Sequence, residues 1–122
     1  MKTNDLKILL KNQLNTITNS VFFEQATDNA IYPHIVFSFR TIDLGDLSRQ
    51  DYILEVDLWT KGTDTTTIDT MADQVEDLLQ GKNLPQEHIL PTFYLIDRMV
   101  VIDPDKDIKH RLIRFQIQNY VR

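Results

Sequence analysis

Cysteine is absent from this 122-residue chain, which excludes disulfides, thiol nucleophiles and zinc–thiolate centres. Glycine is scarce as well. The three glycines stand at positions 45, 62 and 81, each suited to a turn or a helix end and none in a run that could cradle a phosphate. No apolar stretch approaches the roughly 20 residues that span a bilayer. The opening Met1-Lys2-Thr3-Asn4-Asp5 leads into an amphipathic run rather than the apolar centre of a secretion signal. Bases are outnumbered, 13 Lys and Arg against 18 Asp and Glu for a net charge of −5, which argues against a nucleic-acid-binding surface as the main task. What remains is expected to be a single domain over residues 1–122, with one core. Its expected setting is a cytoplasm-like compartment.

The clearest pattern present lies between Tyr52 and Gly81. Tyr52, Leu54, Val56 and Leu58 share one face of an alternating run, and Ile53, Glu55, Asp57 and Trp59 share the other. A period of two is a strand with one buried face. Past Gly62 the period changes, and Ile68, Met71, Ala72, Val75, Leu78 and Leu79 recur at spacings of three and four. That stripe predicts a helix over about residues 64–80, N-capped by Thr63 or Asp64 and closed by Gly81. Strand feeding helix implies a layer of helix on sheet.

The remaining segments extend this layout. Leu6, Leu9, Leu10, Leu14 and Ile17 predict a first helix over residues 4–18. Val21-Phe22-Phe23 reads as a short strand or a plug for the core. Residues 33–42 form a strand with Ile35, Phe37 and Phe39 on one side, followed by a polar connector over 43–50. Residues 92–103 are apolar on both sides, Phe93, Leu95, Met99 and Val101 one way and Tyr94, Ile96, Val100 and Ile102 the other. Such a strand is expected to be central and covered on both faces; two helices would struggle to cover both, which hints at subunit packing. After a turn at Asp103-Pro104-Asp105-Lys106-Asp107, a last strand over about residues 108–121 places Ile113, Phe115, Ile117 and Val121 inward and Arg114, Gln116 and Gln118 outward. The fold class is therefore α+β: a mostly antiparallel sheet of about four strands with an N-terminal helix and a second helix packed on it.

Catalytic and metal chemistry finds no pattern. His34, His88 and His110 lack the spacing that sets two imidazoles on one helical face. Asp103, Asp105 and Asp107 open like a calcium loop, but Ile108 stands where the sixth position needs glycine and Arg114 where the twelfth needs an acid. A solvated hairpin turn is the plainer account. No serine has a nucleophile-elbow context, and no cofactor site is expected. The chain reads as a non-enzyme.

Charge is unevenly spread, net −8 over residues 43–87 and +3 over residues 98–122. These charges either pair within the subunit or form opposite surfaces that meet head to tail, as in closed rings. Asp69, Asp73 and Asp77 repeat every four residues along the second helix, a like-charge arrangement that local helix energetics do not favour. It is either a solvated face or one kept for a basic partner. Trp59, on the polar side of its strand, either packs under an element or serves as an interface anchor. Glu55, Asp57, Trp59, Asp69, Asp73, Asp77, Arg111 and Arg114 are the candidate contacts to a neighbouring subunit or partner.

The order of elements, with Tyr32-Pro33 opening one strand and Val56-Asp57-Leu58-Trp59 closing another, resembles the tail-completion (tail-terminator, tail-to-head joining) proteins of long-tailed bacteriophages and prophages. The likeness covers most of the chain and carries no catalytic residues. It implies a structural virion protein, assembled in the host cytoplasm, that forms a hexameric ring. Such a ring terminates the tail tube, contacts the tail tube protein and the head connector or completion protein, and lets DNA through without specific binding. An acidic lining would suit that passage, because like charge prevents phosphate binding. A head-side connector or neck protein, and a small cytoplasmic ligand-binding or regulatory domain, are the alternative readings.

Overall fold

The computed structural model describes residues 2–42 and 49–121. Helix α1 spans Lys2–Leu14 and is followed by strands β1 (Val21–Phe23), β2 (His34–Ile42) and β3 (Arg49–Lys61), helix α2 (Thr66–Leu79), and strands β4 (Ile89–Val101) and β5 (Ile108–Val121). The expected connector over 43–50 falls largely, and the expected inward side chain of Val121 wholly, outside the described residues.

The strands form one sheet in the order β1-β2-β3-β5-β4. It holds five strands rather than about four, because the Val21-Phe22-Phe23 segment is a strand, parallel to β2. The other pairings are antiparallel, so the α+β class stands. Alternation does its expected work on β3, where Tyr52, Leu54, Val56 and Leu58 lie in the core. From β2 come Ile35 and Phe37, and from β5 Ile113, Phe115 and Ile117. Both helices add their apolar stripes to the same core, Leu6, Leu9, Leu10 and Leu14 from α1 and Ile68, Met71, Ala72, Val75 and Leu79 from α2. Burying side chains of this size contributes about 1.5–3 kcal/mol apiece, so this helix-covered face dominates folding.

Helix ends follow their chemistry. Helix α2 starts at Thr66, with Thr65 rather than Thr63 or Asp64 at the cap position and no capping bond from the Thr65 side chain. Asp64 Oδ1 instead accepts from the Thr66 amide at 2.8 Å and from its hydroxyl at 2.8 Å, which holds the first turn. Those bonds hold the Asp64 carboxyl below its ordinary range. At the other end Gly81 takes φ +69, the left-handed region that closes helices. Helix α1 stops earlier than expected: after the bond from Asn15 N to Lys11 O the chain tightens into three-residue turns at Thr16 and Ile17, and a long bond from Thr18 N to Leu14 O at 3.4 Å closes it.

Strand β4 corrects two expectations. It lies at the edge of the sheet rather than its centre, and among the described residues of the subunit no element covers its second apolar side. Its alternation also breaks. The register shifts between Leu95 and Asp97, leaving Ile96 as a bulged extra residue. Phe93 and Leu95 face the helices, whereas Met99 and Val101, expected beside them, pair with Leu112 and His110 and lie on the opposite face.

The start of β4 is protected. Gly81 N donates to Phe93 O at 2.8 Å, Phe93 N to Lys82 O at 3.0 Å, and Leu84 N to Pro91 O at 3.0 Å, so the segment after α2 runs along that edge. Beyond the bulge no such cover exists among the described residues, and Ile96, Met99 and Val100 are 45%, 40% and 63% exposed.

Candidate interaction surface

Among the described residues no helix lies on the face of the sheet away from the core, and its groups are arranged by cross-strand register. His34 pairs with Trp59, and Trp59 with His110. Neighbours directly opposite on one face must touch. The Trp59 and His110 rings accordingly stack with centroids 3.7 Å apart, and His34 lies on the other flank of Trp59 at 6.1 Å. Trp59 therefore packs under no helix; it is held flat between two imidazoles. His110 Nε2 and Asp57 Oδ1 lie 2.6 Å apart, which fixes the far ring.

His34 is buried against Tyr32 and Phe22, and desolvation lowers its pKa from the ordinary 6.5, opposed in part by a backbone hydrogen bond with Ile31. Beside it, residues 24–32 wall an open groove of about 550 Å³ against His34, Val36, Asp57 and Trp59.

Further along, Glu55 faces Arg114 across the β3–β5 pair. Arg114 makes a two-bond contact with Asp97, its Nε to Oδ1 at 2.9 Å and its Nη2 to Oδ2 closer still. The guanidinium holds the Asp97 carboxyl below its usual range. Asp51, fully buried, is likewise gripped by Arg49 at 2.8 and 2.9 Å, and its carboxyl is held low.

The candidate contacts thus divide. Glu55, Asp57, Trp59 and Arg114 share the uncovered face. Asp69, Asp73 and Arg111 are committed within the subunit. Arg111, buried on the core side, donates through Nε to Asp69 at 3.1 Å. Arg98, also on the core side because of the bulge, reaches Asp73 at 2.8 Å and Glu76 at 3.2 Å.

The acidic stripe of α2 is therefore compensated from the sheet beneath it, and the acidic middle and basic end of the chain meet inside one molecule. Asp77 stays exposed. Arg98 escaped the sequence reading. The signal available was the one cation in a largely apolar strand, in line for a helix of acids.

Among the described residues no cluster of three or more His, Asp or Glu is set to hold a metal. No described helix is long and apolar enough to cross a membrane.

The family model for tail completion protein gp17 matches residues 7–118. The chain belongs to that family. It is a structural protein of phage tails and not an enzyme. The tail-completion fold recurs in a chain of the virion of a native gene transfer agent (GTA) particle, at a TM-score of 0.68 and 12% identity, over 88% of this chain and 84% of that one. At that identity the likeness carries the fold alone. No curated protein matches.

Proposed function

We propose that the chain forms a ring, hexameric by the family resemblance, that terminates the tail tube and joins the finished tail to the head connector. The observation that carries this reading is the match to the tail-completion family over nearly the whole domain. The fold shared with a chain of a gene transfer agent virion agrees with it. The uncovered sheet face, with Glu55, Asp57, Trp59 and Arg114, supplies the contact to a neighbouring subunit, the tail tube protein or the connector. A large aromatic side chain and an arginine are residue types enriched at interface centres. DNA crosses the ring without specific binding, and no cofactor takes part.

The test is electron microscopy of particles made without this gene. Overlong or ragged tails lying free of filled heads are expected. Tails of normal length beside leaking heads would instead make this a head-side connector, and intact particles would refute a structural role.

A further inference from the structure

The two ends of the sheet are matched in level. Reading across the ladders, one row runs Val21, Ile35, Leu58, Arg111, Val100. The next runs Phe22, Val36, Asp57, Leu112, Met99, and the third Phe23, Phe37, Val56, Ile113, Arg98. Strand β1 is three residues long. It occupies the same three rows in which β4, past its bulge, has no neighbour among the described residues. Where β1 is missing at one edge, residues 81–86 already cover β4 at the other.

Direction and facing agree as well. β1 runs parallel to β2, which is antiparallel to β3; β3 and β4 are both antiparallel to β5. β4 therefore runs opposite to β1. A copy rotated about an axis along the strands brings its β1 antiparallel to β4 of its neighbour. The bulge at Ile96 gives Met99 the parity of Phe22, both on the uncovered face, and gives Arg98 the parity of Phe23. Without the extra residue the faces would conflict.

The usual guards of an open edge are also disarmed here. Asp97 is held by Arg114, and Arg98 by Asp73 and Glu76. An apolar stretch, Met99-Val100-Val101-Ile102, is left with Val100 63% and Ile102 88% exposed. Val21 is itself buried, so the accessible part of the β1 edge is Phe22 and Phe23.

We infer that the free half of β4 in one copy pairs antiparallel with β1 of the next, placing Met99 beside Phe22 and running the sheet on from subunit to subunit. The inference rests on the ring reading and names its contact. The joint is heterologous, one edge against a different edge, so it propagates until it closes, as a ring requires.

Backbone bonds of neighbouring ladders give the pairing its sign. Ile35 N donates to Ser20 O and Glu24 N to Phe37 O, so Ser20, Phe22 and Glu24 turn their backbone toward β2. Met99, opposite Leu112, turns its backbone toward β5. Phe22 and Met99 would therefore meet as a non-hydrogen-bonded pair, with Cα atoms roughly 4.5 Å apart, close enough for a disulfide.

The chain has no cysteine, so Phe22→Cys and Met99→Cys can be introduced cleanly. Under mild oxidation the double variant is expected to give a thiol-sensitive ladder of dimers and larger species on denaturing gels. Each single variant should give none, and a mixture of the two single variants should give dimers only. Val100→Lys, at an exposed position, should unfold at the wild-type urea concentration yet lose assembly.

A ring that forms without the cross-link, dimers from Met99→Cys alone, or a Val100→Lys variant that still assembles would overturn this pairing while leaving the ring standing. A chain that stays monomeric at every concentration and never cross-links would overturn both.

Discussion

The contact between α2 and the sheet makes a prediction whose sign comes from exposure alone. The Arg111 side chain is 10% exposed and that of Asp69 47%, although they form one ion pair. Replacing Asp69 with Ala strands a guanidinium that water reaches poorly, leaving it, among the described residues, its bond to His110 O at 3.1 Å. Losing a hydrogen bond to a buried charge costs about 2–3 kcal/mol. Loss of an acid from the first turn of α2 adds about 0.3–1 kcal/mol.

Replacing Arg111 with Met keeps the aliphatic stem in place and frees a carboxylate that is already half in water. That substitution should cost about 1 kcal/mol. The smaller side of the pair is therefore the more damaging to remove, and the double variant should resemble Arg111→Met and recover most of what Asp69→Ala lost. Urea unfolding followed by far-ultraviolet circular dichroism resolves this, since a difference of about 2 kcal/mol moves the midpoint by roughly 1 M at ordinary slopes. Equal losses, or a larger loss from Arg111→Met with no recovery in the double variant, would refute the reasoning.

Two further outcomes follow from single residues. His34 is held neutral by burial, with its pKa below the ordinary 6.5, so the unfolded chain takes up this proton first as pH falls. Stability from this group is full above 6.5 and declines as pH drops toward the folded value. His34→Phe should shrink the difference in melting temperature between pH 7 and pH 5, and an unchanged difference would count against the assignment. Gly81 has φ +69, and a Cβ at this position would meet nothing within 4 Å. Gly81→Ala should therefore cost about 1 kcal/mol from backbone conformation alone, and Gly81→Asn less; a thermal melt that leaves Ala at wild-type stability would contradict this.

The parts of the fold legible in the sequence were those written in a local period. Tyr52 to Leu58 and Ile68 to Leu79 announced their buried faces because a helix-covered sheet imposes alternation on one and a three-to-four spacing on the other. Strand order was not so written. Residues 92–103 looked central because both sides were apolar, and nothing local distinguishes a covered second face from one left exposed at an edge.

The bulge at Ile96 was equally hidden, since one extra residue leaves composition unchanged while turning over every side chain after it. That reversal explains why Arg98 and the acids of α2 were read as separate features when they are one contact. The stacking of Trp59 between His34 and His110 needed the register of three strands. The hairpin offset between β2 and β3 would have supplied half of it. Of the candidate site, Glu55, Asp57 and Trp59 were placed together correctly by parity alone. Asp69 and Asp73 were read without the cations beneath them.

Trp59 is the only tryptophan in the chain, and its position has an optical consequence. Intrinsic indole emission from this protein arises from one spot on the uncovered face, not from the core. Its wavelength and intensity will follow the hydration of that spot and the position of the His110 ring stacked on it. An unfolding curve recorded this way reports the outer surface, whereas the helix-covered interior stays dark to it. The same signal will register, without a label, anything that docks over β3.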